Sequence, residues 1–215
     1  QQRLGQQRTS AGLKLEVEFG MLVGWYNRDQ QSLGRQQDEL SSQSTRFPVY
    51  ELPSEAFLLA MLEQTVARPQ SAALIVVACE TLQDAAGVLK ESQREMLLLT
   101  LVEKLRAAIP PQMVLAQVSG YDFAILADGL AESWQAVTLS KQVLTIINER
   151  LPLHGLQLRP YASVGIAMFH PGLSAEQFYR RAVSAAVTAR RKGKNQIEFF
   201  DPEQMEKAQR RLMEE

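Results

Sequence analysis

The chain has 215 residues, 23 basic against 24 acidic, for a formal net charge of −1. It is 46% hydrophobic and 22% charged, an ordinary globular composition. The near-neutral balance offers no concentrated basic surface for nucleic acid, the longest apolar run (residues 72–79) falls far short of the roughly twenty residues a membrane helix needs, and a single cysteine, Cys79, excludes an internal disulfide.

The two histidines, His154 and His170, lie apart from Cys79, so no His/Cys zinc cluster is expected. No secretory signal is visible, and the first residue is Gln, so the sequence reads as a piece of something longer. Residues 1–45 are rich in Gln and Ser. Phe19, Tyr26, Leu33 and Leu40 recur at heptad spacing, with Leu15 and Leu22 in the companion position, which turns polar at Asp29 and Gln36. This pattern predicts a long helix with an imperfect coiled-coil seam. At about 1.5 Å per residue, residues 15–40 would reach roughly 40 Å. Two readings stand: a signalling helix that pairs in a homodimer, or an amphipathic helix folded back on its own domain.

Pro48 and Pro53 end that helix, and residues 46–201 form the compact part. Ser54 caps a helix whose apolar face includes Phe57, Leu58, Met61 and Leu62. Residues 73–79 read as a buried strand, being β-branched and without alternation. Residues 92–108 are helical, and Pro110-Pro111 stop them. Two short strands, 114–118 and 122–126, flank Ser119-Gly120-Tyr121 as a hairpin. A helix follows over 132–150, then a strand over 159–168. Ser174 and Gln177, in capping-box spacing, open a helix over 174–191 that Gly193 ends. A last strand covers 196–200. Asp201-Pro202 opens an exit helix over 202–215. The order embeds a βαββαβ unit, so the expected fold is α+β and ferredoxin-like, a largely antiparallel sheet with the hairpin at its centre and helices on its faces.

Three stretches carry a resemblance. Gln117-Val118-Ser119-Gly120-Tyr121-Asp122-Phe123-Ala124-Ile125-Leu126 is similar to R-(L/Y)-G-G-(D/E)-E-F-A-I-L. Arg46-Phe47-Pro48-Val49-Tyr50-Glu51-Leu52-Pro53-Ser54 is similar to H-D-P-L-T-G-L-P-N. Ser163-Val164-Gly165-Ile166-Ala167, with Arg181-Ala182 and Ala189-Arg190-Arg191-Lys192-Gly193-Lys194-Asn195, is similar to S-x-G-I-A and the A-D-x-A-L-Y-x-A-K-x-x-G-R-N helix. In this order they resemble the GGDEF family, the diguanylate cyclase domains, over about residues 46–201. The resemblance implies a GTP-binding fold that works as a dimer and makes cyclic di-GMP when intact.

The departures matter more. The family's reaction implies two divalent metals on GTP phosphates, and such hard cations take carboxylates. The resemblance implies an Asp at the end of the first strand, where Ala78 stands, and an acid third in the signature, where Tyr121 stands. Asp122 keeps the fourth-position acid. The guanine-recognising Asn and Asp fall on Ala86 and Glu95. The phosphate-contacting Lys and Arg fall on Arg190 and Lys194, which keep the charge with altered geometry. The inhibitory R-x-x-D falls on Pro110 and Met113 and is lost. The degenerate signature Ser119, Gly120, Tyr121, Asp122 and Phe123 therefore leaves no expected catalytic or metal site.

Glu80, placed on the strand's continuation, would share a face with Ala78, so Glu80 and Asp122 are weak metal candidates, or simply solvated acids. Glu95 is a guanine contact or an ordinary helix-surface acid. Arg190, Arg191, Lys192 and Lys194 hold phosphate, or only stabilise a helix C-terminus by about 0.3–1 kcal/mol. Tyr121 fills an empty pocket or anchors an interface. Cys79 reads as core packing, inert by burial.

The flanks extend the resemblance. Residues 17–28 look like the close of a HAMP relay, and Phe199-Phe200-Asp201-Pro202 with the exit helix resembles the connector to an EAL domain. The expected parent is a membrane-tethered bacterial HAMP–GGDEF–EAL phosphodiesterase, similar to the enterobacterial biofilm regulators, with this piece on the cytoplasmic side of the inner membrane. The expected role is an inactive relay that dimerises through its N-terminal helix and acts on an EAL domain in cis, without nucleic acid or its own membrane contact. The alternatives are a sensor that binds GTP with magnesium and does not turn it over, or a weak cyclase.

Overall fold

A computed structural model describes residues 52–214, with 69, 86 and 154 excepted. The N-terminal helix, its homodimer seam, the HAMP-like segment, the start of the proline-rich opening and Ala86 lie outside the described residues.

Helix α1 (Glu55–Val66) starts where the Ser54 hydroxyl accepts from Phe57 N at 3.3 Å. Strand β1 (Ala72–Ala78) follows, buried along its whole length. Then come α2 (Glu80–Ala85), α3 (Glu91–Ala108), β2 (Val114–Ser119), β3 (Asp122–Asp128), α4 (Ser133–Ile147), β4 (Leu151–Leu153), β5 (Leu156–Leu158), β6 (Ser163–Met168), α5 (Ala175–Lys192), β7 (Ile197–Phe199) and α6 (Pro202–Glu214). The predicted capping box of α5 forms in both directions, Gln177 N to Ser174 Oγ at 3.1 Å and Ser174 N to Gln177 Oε1 at 3.0 Å. Asp201 Oδ1 accepts from Glu203 N at 3.1 Å and opens α6.

The main sheet runs β2-β3-β1-β6-β7. β1 pairs antiparallel with β3 on one side and β6 on the other, so Ile75 faces both Ile125 and Ile166. This is the expected α+β, ferredoxin-like order with one strand added, since β7 joins β6 in parallel. The hairpin is not at the centre as expected. Among the described residues β1 is the middle strand and β2 an edge, because β1 has a partner on each side and β2 pairs within the sheet only with β3. Helix α5 packs on β6 and β1 with α1 beside it, while α3, α4 and α6 form a second group. A strand buried at every position is what cover on both faces requires.

Helix α5 meets β6 closely. Its inner side is Ala182, Ala185, Ala186 and Ala189, all buried. At Gly165 of β6, a Cβ would lie 2.0 Å from Ala186 N and 2.4 Å from the Ala182 carbonyl oxygen. The glycine of the S-x-G-I-A motif is thus demanded by helix–sheet contact.

Three elements were missed from sequence, strands β4 and β5 and helix α2. The two-stranded β4–β5 pair spans only three residues a strand. Helix α2 corrects the placement of Glu80: the chain leaves the strand at Cys79, Leu82 N donates to the Cys79 carbonyl at 3.2 Å, and Glu80 begins a helix.

Candidate functional site

The register sets the base of the site. Ala78, last in β1, is opposite Asp122 of β3 and Ser163 of β6. Directly paired residues project on one face, so the row Asp122–Ala78–Ser163 carries an acid and a hydroxyl with a methyl between them. Just beyond it, α2 brings Glu80 and Gln83, one helical turn apart, over the end of the sheet. The C-terminal turn of α5 adds Arg190.

These groups form one chain of contacts. The Ser163 hydroxyl donates to a buried Glu80 carboxylate. The other Glu80 oxygen lies 4.0 Å from Arg190 Nε. A terminal nitrogen of Arg190 donates to Gln83 Oε1 at 3.2 Å, and Gln83 Nε2 donates to Asp122 Oδ1 at 3.0 Å. The Cys79 backbone N–H also donates to Asp122. Burial pushes the Asp122 carboxyl up from its ordinary range, and the Glu80 charge adds to this; the Cys79 amide, Arg190 and Gln83 pull it the other way without cancelling it. Cys79 is fully buried and its thiol is pushed up to about 12, first by burial and then by the Asp122 charge. A thiol of that kind is neutral and unreactive at neutral pH.

Lys194 stands at the same end of α5. Its Nζ lies 4.2 Å from the centre of the Tyr161 ring, a cation–π contact. The Tyr161 hydroxyl donates to Asp84 Oδ2 at 2.6 Å.

The structure therefore brings together Asp122, Glu80 and Arg190, with Lys194 nearby. Glu95 is exposed on α3 and makes no hydrogen bond or ion pair to this network among the described residues. Tyr121 is half-buried in the hairpin turn beside Gly120, whose φ is +48°. Phe123 is in the core opposite Val77. Ser119 closes β2 opposite Asp122, after a register shift. Pro110 and Met113 form a turn, Met113 N donating to the Pro110 carbonyl at 2.9 Å. Sequence reading missed Gln83 and the role of Ser163. The spacing of Glu80 and Gln83 was a usable signal only once α2 was known to be helical.

Hard divalent cations need oxygen ligands, preferably carboxylates. Ala78 supplies none, and Tyr121 has no carboxylate. Glu80 is taken by Ser163 and Arg190, and Asp122 by Gln83 and a backbone amide. Among the described residues no three His, Cys, Asp or Glu side chains are grouped to hold an ion. The residues present do not fit the pair of magnesium ions that the family resemblance implies.

Residues 49–196 match the family described as "Diguanylate cyclase, GGDEF domain". Cyclic di-GMP phosphodiesterase NbdA of Pseudomonas aeruginosa is 28% identical over 122 residues, which is 56% of this chain and 16% of that protein. The bifunctional diguanylate cyclase/cyclic di-GMP phosphodiesterase MucR of the same organism is 27% identical over 119 residues, 55% of this chain and 17% of that protein. The matches thus span about a sixth of these curated relatives. Among solved structures, the coiled coil and GGDEF domain of DgcB from Caulobacter crescentus, in complex with c-di-GMP, aligns with a TM-score of 0.64 at 17% identity, covering 83% of this chain and 99% of that one. With more than half its length matched, the chain belongs to the GGDEF family of diguanylate cyclase domains.

Proposed function

We propose that this domain is a catalytically silent GGDEF module, a regulatory and dimerising relay within a cyclic di-GMP signalling protein. The observation that carries the reading is the site's acids. Ala78 and Tyr121 stand where the family resemblance implies metal-binding carboxylates, and the two remaining acids, Glu80 and Asp122, are engaged by the protein's own donors. Without carboxylates free to hold two cations, nothing activates a ribose hydroxyl or draws charge from the phosphates.

The relay would link the heptad-patterned N-terminal helix, at the end of a HAMP unit, to an EAL phosphodiesterase domain beyond α6. The names of both curated relatives include cyclic di-GMP phosphodiesterase, which favours a parent of that activity. A membrane-tethered parent with this domain on the cytoplasmic side fits the HAMP-like segment. Among the described residues no helix is long and apolar enough to cross a membrane. The signal would pass as a population shift between dimer arrangements, with no local chemistry to drive it.

The test is direct. The fragment, incubated with GTP and magnesium or manganese, is expected to yield no more cyclic di-GMP by chromatography than a protein-free blank. Product above that blank overturns the silent reading.

A further inference from the structure

Arg190 is about half exposed at 49% of its side-chain surface, so a solute can reach it, yet it already has two internal partners. Its Nε faces Glu80 and a terminal nitrogen donates to Gln83. Gln83 is fixed in turn by Asp122, and Glu80 by Ser163. The second cation at this end of α5, Lys194, rests on a Tyr161 ring that Asp84 holds. Arg190 and Lys194, the two residues on which the family's phosphate contacts fall, are thus each engaged by the protein itself.

We infer that Glu80, as a built-in counter-ion, and Gln83, as a hydrogen-bond acceptor, together occupy Arg190 and keep polyphosphate anions, nucleoside triphosphates included, out of this site. The inference rests on the silent reading above and deepens it: the site is closed as well as stripped of metal ligands. An incoming phosphate chain must displace the Gln83 carbonyl from Arg190, and it brings negative charge beside a Glu80 carboxylate that is buried and held. Both effects oppose binding, and removing the Glu80 charge relieves the larger one. Glu80→Gln keeps an acceptor oxygen for the Ser163 hydroxyl, so the contact between α2 and β6 survives.

The experiment is calorimetric titration without divalent metal, using GTP and inorganic tripolyphosphate as separate probes. Wild type is expected to give no binding heat at millimolar anion. E80Q is expected to bind both probes at least about tenfold more tightly than wild type. The gain is expected to vanish in the double variant E80Q/R190Q. The inference is overturned by a wild type that binds either probe in the micromolar range, by E80Q without the gain, by a gain confined to GTP, or by a gain that survives loss of Arg190. Should E80Q fail to fold by circular dichroism, Gln83→Ala, which removes one of the two partners of Arg190 and leaves the Glu80 charge, is titrated with and without R190Q: a gain with both probes that is smaller than about tenfold and needs Arg190 supports the inference, and no gain overturns it. These titrations involve no turnover. Cyclic di-GMP made by wild type would refute silence and closure together, since turnover needs GTP in the site, whereas an unchanged anion affinity of E80Q with no product from wild type would refute closure alone.

Discussion

Asp122 is the residue in which the site's electrostatics are most exposed to measurement. Its carboxyl is raised from an ordinary 3.8, with desolvation the largest cause. A folded-state value above the unfolded one means that the native protein binds this proton more tightly than the unfolded chain does. The associated stability is fully present below the unfolded value and is lost as pH rises through the folded value. At neutral pH the ionised Asp122 is therefore a net liability. Asp122→Asn removes the charge and leaves an oxygen to accept from Gln83 or the Cys79 amide. Its urea midpoint is expected to exceed that of wild type at pH 7, with the difference closing near pH 3, where wild type is also neutral. A wild type more stable than the variant at pH 7 would sink this account. At this scale the sequence disclosed losses better than gains. The resemblance implies carboxylates where Ala78 and Tyr121 stand, and that difference is read from residue type once the motifs are aligned. The contacts of Glu80 with Ser163 and of Gln83 with Arg190 join residues 83 and 107 positions apart, and no local pattern encodes them.

Among the elements, α5 and β6 are the pair whose packing is most constrained. Backbone atoms of Ala182 and Ala186 occupy the space a side chain at residue 165 would need. Overpacking a core commonly costs about 1–3 kcal/mol when side chains can give way. Here the obstacles are main-chain atoms in a hydrogen-bonded helix, so Gly165→Ala is expected to cost at least about 3 kcal/mol in urea unfolding or to prevent soluble expression. A loss under about 1 kcal/mol would contradict the contact. Long elements with strong caps were legible: Ser54 and Ser174 start helices as their chemistry requires. Helix α2 was not legible, because six residues complete fewer than two turns and show no periodicity. Missing it put Glu80 on the wrong element, where it looked like a candidate metal ligand beside Ala78.

At the scale of the whole domain, as described from residue 52 onward, burial is greatest in the middle of the sheet and falls toward α6. β1 is buried throughout and hydrogen-bonded to strands on both sides, whereas α6 buries only Ala208 among its described residues. Native-state hydrogen exchange should reflect this: β1 amides exchanging slowest, near the rate set by global unfolding, and α6 amides at least about tenfold faster. Equal protection of the two would show that α6 is held by more than its packing on α4 and β7. The βαββαβ order was readable because it follows from the sequence of element types. The hairpin's place beside the centre, and the parallel addition of β7, were not, since strand order depends on which surfaces the crossover helices cover.

The close contact at Gly165 has a mechanical meaning. Ala182 and Ala186 lie near the middle of α5, so the helix is a stiff rod clamped at its midpoint to the sheet. Arg190 is about one turn beyond the clamp. Because backbone meets backbone there, the spacing of α5 from β6 is set at residue 165 with no side chain between them. The place of Arg190 beside Glu80 and Gln83 is thus referred to the sheet through a glycine one turn away.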